Sequence, residues 1–100
     1  MKKKEMTKAE ISHAKKRMSL LMMQIPKTLP LMRGNIVTNG VKNRQAYFSL
    51  NKDHKTHLIY LGEKRLPQAK KMSENYKKCW SILEEMTTIN MALLKNDALL

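Results

Sequence analysis

Beyond Pro67 the positions Ala69, Met72, Tyr76, Cys79, Leu83, Met86, Asn90 and Leu93 follow one another in steps of three and four without a break. Such spacing keeps one face of an α-helix turned to one side, and held over several heptads it is the pattern of a coiled-coil or helix-hairpin seam. It predicts a helix from about residue 65 or 67 to about residue 97, with Pro67 acceptable only in the first turn, where an N–H would have no helical partner. Trp80, Ile82, Ile89 and Leu94 widen the apolar stripe. A helix this long and this apolar must pack against another helix, a sheet or a second copy of itself. Asn90 is the kind of polar residue that sets register between helices. The partner-helix seam is therefore read as Met72, Tyr76, Cys79, Trp80, Leu83, Met86, Asn90 and Leu93.

Upstream, Thr7-Lys8-Ala9-Glu10 reads as a capping box, in which Thr7 and Glu10 satisfy amides at a helix start. Ile11, Ala14, Met18, Leu21 and Ile25 then share a face, and Pro26 ends the helix, giving bounds of 7–25. Residues 1–6 read as a basic flexible tail. After a linker between Pro26 and Pro30, strands are expected over about 31–38, 45–50 and 56–61. Asn39-Gly40 and Asn51-Lys52-Asp53 supply the reversals, because these residue types tolerate turn backbones. Ala46, Phe48 and Leu50 share one strand face, with Tyr47 and Ser49 on the other. Short strands close together favour an antiparallel meander. The expected fold class is α+β: an N-terminal helix, a three-stranded antiparallel sheet and a long C-terminal helix, in one domain over 7–100. A wholly helical chain is the alternative, opposed by Gly34, Gly40 and the β-formers of 45–61.

Twenty Lys and Arg against eight Asp and Glu give a formal charge of +12, a self-repelling surface unless something anionic is bound. Residues 1–30 hold eight basic and two acidic groups, 31–62 five and one, and 63–100 seven and five, so the excess lies in the first two-thirds. Nucleic acid, DNA or RNA, is the expected partner. The contact residues are read as Lys15, Lys16 and Arg17 on the first helix and Arg33, Lys42, Arg44, Tyr47, Lys52, Lys55, His57, Lys64 and Arg65 in or beside the sheet. Long cationic side chains in turns and at strand ends reach phosphates, and Tyr47 and Tyr60 can stack on a base or pack within the sheet. Lys70-Lys71 and Lys77-Lys78 add charge to the last helix, where Glu74 can offset it.

Catalysis is not expected. His13, His54 and His57 are the only histidines; His57 with Cys79 is the one conceivable base and nucleophile, and nothing offers itself to orient them. Cys79 on the apolar seam behaves as a small hydrophobe. Glu84 and Glu85 are adjacent on a helix and point in different directions. The glycines are isolated, so no phosphate-cradling loop is formed. One cysteine permits no internal disulfide and no cysteine-rich zinc site, which fits a reducing, cytoplasmic setting; no metal and no cofactor are expected. Met1-Lys2-Lys3-Lys4 imitates the start of a signal peptide, but the apolar run Leu20–Met23 is too short to complete one, and no stretch approaches the roughly eighteen apolar residues of a membrane span.

Arg33-Gly34-Asn35-Ile36-Val37, Ala46-Tyr47-Phe48-Ser49-Leu50, Lys55-Thr56-His57-Leu58-Ile59-Tyr60-Leu61 and Glu74-Asn75-Tyr76-Lys77 stand in an order that resembles a family of short bacterial and archaeal proteins of unknown function, often encoded near transposases. The resemblance covers about residues 31–95. It implies an accessory role in a mobile element or phage system. Typical members carry a cysteine cluster suggestive of metal between the first two strands; here that stretch is Asn39-Gly40-Val41-Lys42-Asn43-Arg44, without cysteine. Three strands followed by a helix is also similar to the arm-site DNA-binding domains of tyrosine recombinases, which lay a sheet into the major groove. That likeness implies that a face carrying Arg44, Tyr47, Lys55 and His57 enters the groove. The rival expectation is a protein-binding adaptor or inhibitor that docks on a larger enzyme through the last helix, or a homo-oligomer joined there; membrane attachment is not expected.

Overall fold

A computed structural model describes residues 5–40 and 44–99. Helix α1 (Lys8–Gln24) runs into a 3-10 turn (Ile25–Thr28); strands β1 (Asn35–Asn39), β2 (Gln45–Lys52) and β3 (Lys55–Tyr60) follow, then helix α2 (Gly62–Lys95). The α+β class and the element order are those expected. The chain divides into two compact units: a helical unit of the chain up to Lys27 with Cys79 onward, and a sheet unit of Thr28–Lys78.

In the helical unit the capping box forms as read. Thr7 Oγ1 accepts from the Glu10 N–H at 3.1 Å, and the Glu10 carboxylate accepts from the Thr7 N–H at 3.3 Å. Leu21 is buried and Ile11, Ala14 and Met18 half-buried, while every other residue of α1 is exposed, so the spacing identified the packed face. The Met6 N–H, just before α1, donates to Asn96 Oδ1, just after α2, at 2.9 Å, and Arg17 binds Glu85, so eleven residues forward from Met6 correspond to eleven back from Asn96 and the helices run antiparallel. Met6 is thereby tied down, unlike the flexible segment expected there; residues 1–4 lie outside the described residues. On α2 the less exposed stripe is Cys79, Ile82, Met86, Ile89 and Leu93, in steps of three and four, with Leu93 buried. Trp80, Leu83 and Asn90 lie off it and are exposed, which corrects the expected seam. The apolar stripe is wider than one facing helix covers, and the Ile82–Ile89 edge is the one covered. Asp97 (φ 53°) ends the helix: the Ala98 N–H donates to the Leu93 carbonyl at 2.9 Å and the Asp97 N–H to that of Leu94 at 3.1 Å, a Schellman closure.

The sheet has the order β1-β2-β3, antiparallel throughout. Register pairs Phe48 with Ile36 on one side and Ile59 on the other, and Tyr47 with Val37 and Tyr60. Because side chains alternate, Ala46, Phe48 and Leu50 face one way. Phe48, Leu61 and Ala69 form the buried core there, with Met32, Ile36, Ala46, Leu50 and Leu66 packed around them. Tyr47, Ser49, Leu58 and Tyr60 face the other way.

Strand β1 starts at Asn35, four residues later than expected. Upstream of it the backbone bonds to α2 instead of a strand: the Met32 N–H donates to the Met72 carbonyl at 3.2 Å, Asn75 Nδ2 to that of Pro30 at 2.9 Å and Ser73 Oγ to that of Gly34 at 3.2 Å. Helix α2 begins at Gly62, before the expected start, which places Pro67 in the second turn. The missing amide leaves the exposed Glu63 carbonyl without its i+4 donor, a deficit that solvent can make good.

Strands β2 and β3 run to Lys52 and from Lys55, tighter than the expected three-residue reversal, so Asp53 (φ 55°) and His54 (φ 60°) alone make the turn. Two central residues at positive φ suit the twist of a hairpin. Asp accepts this backbone readily and His less so. His54→Gly is therefore expected to raise stability by about 0.5–1 kcal/mol, read as a higher urea midpoint at unchanged slope; a lower midpoint would show that the imidazole holds the turn.

Candidate nucleic-acid interface

The side of the sheet away from Phe48 carries a row of Val37, Tyr47 and Tyr60, then Asn35, Ser49 and Leu58, then Asn51 and Thr56. Tyr47 and Tyr60 meet edge to face, with ring centroids 5.6 Å apart at 64°, a favoured aromatic geometry. The Tyr47 hydroxyl donates to Gln45 Oε1 at 3.1 Å, and Thr56 Oγ1 donates to Asn51 Oδ1 at 2.7 Å. Every residue of β3 is exposed, so Leu58 and Tyr60 present about half their surface to solvent.

Cations stand at both ends of the sheet. At the hairpin end Arg33 Nη2 donates to the Asn51 carbonyl at 3.1 Å, while the exposed register partners Lys52 and Lys55 share the parity of Phe48 and stand at that end of the sheet on its other side. At the other end Arg44 precedes β2, while Lys64 and Arg65 lie in the first turn of α2, with Arg65 Nη1 donating to the Tyr60 carbonyl at 3.2 Å. Backbone carbonyls thus orient two guanidinium groups without neutralising them. Asp53 sits in the hairpin turn and Glu63 opens α2; among the described residues neither forms an ion pair, and the one ion pair is Arg17 with Glu85.

Arg17 therefore stands apart from the expected contact set. Its guanidinium grips both Glu85 oxygens, Nη2 to Oε1 at 2.9 Å. That hydrogen bond and the nearby charge raise the Arg17 pKa and hold the Glu85 carboxyl below its ordinary value. Lys15 and Lys16 are exposed in the same helical unit. Lys42 lies outside the described residues.

The expected grouping of Arg44, Tyr47, Lys55 and His57 on one face does not form. Tyr47 is opposite Tyr60, and Lys55 and His57 differ from Tyr60 by odd steps along β3, so alternation turns them to the Phe48 side. A register shift of one residue reverses every assignment, and turn length alone decides it here. Cys79 and His57 belong to different units. No cluster of three or more His, Cys, Asp or Glu able to hold a metal ion occurs among the described residues, and no helix there is long and apolar enough to cross a membrane.

Sequence reasoning missed Ser73 and Asn75, buried polar residues whose side chains fasten the segment before β1. Their signal was available: small polar groups one or two positions from an apolar stripe on a helix mark a backbone brought close. No family model, curated protein or solved structure matches the chain.

Proposed function

We propose that the chain is a non-catalytic, cytoplasmic nucleic-acid-binding accessory protein of a mobile element or phage system, and that the outer face of the sheet is its contact surface. The observation that carries this reading is the Tyr47–Tyr60 pair, Tyr47 half-buried and Tyr60 exposed, on a sheet with cations at both ends that form no ion pair among the described residues. Aromatic faces stack on bases of any sequence, and flanking cations follow the phosphates. Arg44 stands before β2 at one end of the sheet and Lys52 and Lys55 flank the hairpin at the other, positions from which long side chains can reach phosphates. Replacing all three by Ala is expected to weaken binding of short duplex and single-stranded oligonucleotides by more than about tenfold at moderate salt, with an unchanged melting temperature. Wild-type affinity in the folded triple variant would remove the sheet from this role.

A second reading is favoured by Leu83, Met91 and Leu94, exposed large apolar residues on α2. A protein-binding adaptor would use them to dock a larger enzyme, the cations steering its approach. Leu83→Asp with Leu94→Asp separates the two: loss of biological function with oligonucleotide binding intact selects the adaptor.

A further inference from the structure

We propose that a cleft in the sheet unit, formed where the start of β1, the end of β2 and the middle of α2 converge, is a phosphate site that takes a backbone phosphate of the bound nucleic acid. The identity of the ligand rests on the nucleic-acid reading; the oxyanion site itself does not.

The cleft is lined by Arg33, Asn35, Ser49, Asn51, Tyr76 and Lys77, with the Gly34 backbone as part of its wall, and its volume is about 220 Å³. That is below the roughly 300–1,000 Å³ of pockets for drug-sized ligands, and it is room for one tetrahedral oxyanion with some water. Among the described residues two cations line it and no carboxylate does. The remaining side chains are hydroxyl and carboxamide groups, which donate hydrogen bonds to anionic oxygen. One Arg33 nitrogen is spent on the Asn51 carbonyl at 3.1 Å. This fixes the plane of the guanidinium while other N–H groups of its fork remain for a ligand, the arrangement that suits arginine to phosphate. Lys77 adds a point charge from α2.

The site is also held in place. Ser73 Oγ bonds the Gly34 carbonyl and Asn75 Nδ2 the Pro30 carbonyl, so α2 is fastened on both sides of Arg33. Asn35 and Ser49 are register partners, and they belong to the sheet face that carries the tyrosines. A strand of nucleic acid crossing that face from the tyrosine pair toward the hairpin reaches the cleft without leaving the sheet unit.

The test begins with inorganic phosphate titrated into the full-length ¹⁵N-labelled chain. Shifts are expected to gather at Arg33–Asn35, Ser49, Asn51, Tyr76 and Lys77, to disappear in Lys77→Gln and to persist in Lys77→Arg. Lys77→Gln and Arg33→Gln should each bind a 5′-hydroxyl oligonucleotide about tenfold more weakly, with the salt slope smaller by about one, and a 5′-phosphorylated oligonucleotide should lose the same factor. Loss confined to the 5′-phosphorylated oligonucleotide would overturn the backbone assignment in favour of a terminal phosphate. Diffuse phosphate shifts, together with wild-type oligonucleotide affinity in both variants, would overturn the cleft and leave the sheet reading standing. Localised phosphate shifts in a chain that binds no oligonucleotide would keep the oxyanion site and overturn the nucleic-acid ligand.

Discussion

Gly34→Ala is expected to destabilise the sheet unit by about 3 kcal/mol, whereas Gly62→Ala, the same chemical change at another positive-φ glycine, should cost about 1 kcal/mol. A Cβ on Gly34 would stand 2.5 Å from Phe48 Cζ, 2.9 Å from Cε1 and 2.6 Å from the Ser49 carbonyl oxygen. Neither neighbour has room to yield. Phe48 is the buried centre of the core, and Ser49 is held by pairing with both Asn35 and Leu58. The backbone at φ 154° adds strain for a residue with a side chain. At Gly62 (φ 63°) the nearest atoms are those of the Tyr60 ring at 3.5 Å, ordinary contact, so the left-handed backbone is the only cost. Urea unfolding followed by far-UV circular dichroism measures both. Equal losses at the two positions would mean that the chain before β1 does not press against Phe48 as described.

The same region marks the limit of what could be read from the chain. Local chemistry was legible wherever one element decides its own shape. The Thr7–Glu10 box, the face of α1 and the alternation of Ala46, Phe48 and Leu50 each depend on neighbours a few residues away, and each forms as read. The long-range choices were not legible. Leu31 to Arg33 has the composition of a strand, yet Met32 donates to Met72, because Ser73 and Asn75 offer the segment polar partners on a helix some forty residues on. Arg17 looks like a member of a basic cluster until Glu85, 68 residues away, is placed against it. The candidate surface suffered from the same difficulty. Its residue types were recognisable, but a turn of two residues instead of three sets which face Lys55 and His57 occupy, and Asp53 and His54 are not a strong turn pair by type.

Affinity for nucleic acid is expected to fall steeply with salt, and how each variant changes that fall separates charge from stacking. Arg33, Arg44, Lys52, Lys55, Lys64 and Arg65 are six cations of the sheet unit outside the one ion pair among the described residues. Each phosphate neutralised releases condensed counterions, so six contacts give a log–log slope of about −5 on duplex and about −4 on a single strand. Between 50 and 200 mM salt the duplex affinity should drop on the order of a thousandfold and the single-strand affinity by a few hundredfold. Removing Arg44, Lys52 and Lys55 should shrink either slope by about two or three. Tyr47→Ala or Tyr60→Ala acts on a different quantity. Each breaks the edge-to-face pair and removes a stacking surface, at about 1–3 kcal/mol per base at any salt, so the line should move down without changing its tilt. Anisotropy titrations across four salt concentrations measure both parameters together. A flat salt dependence, or tyrosine variants that change the slope while the basic variants do not, would show that the sheet meets its partner by some means other than phosphate contact beside aromatic stacking.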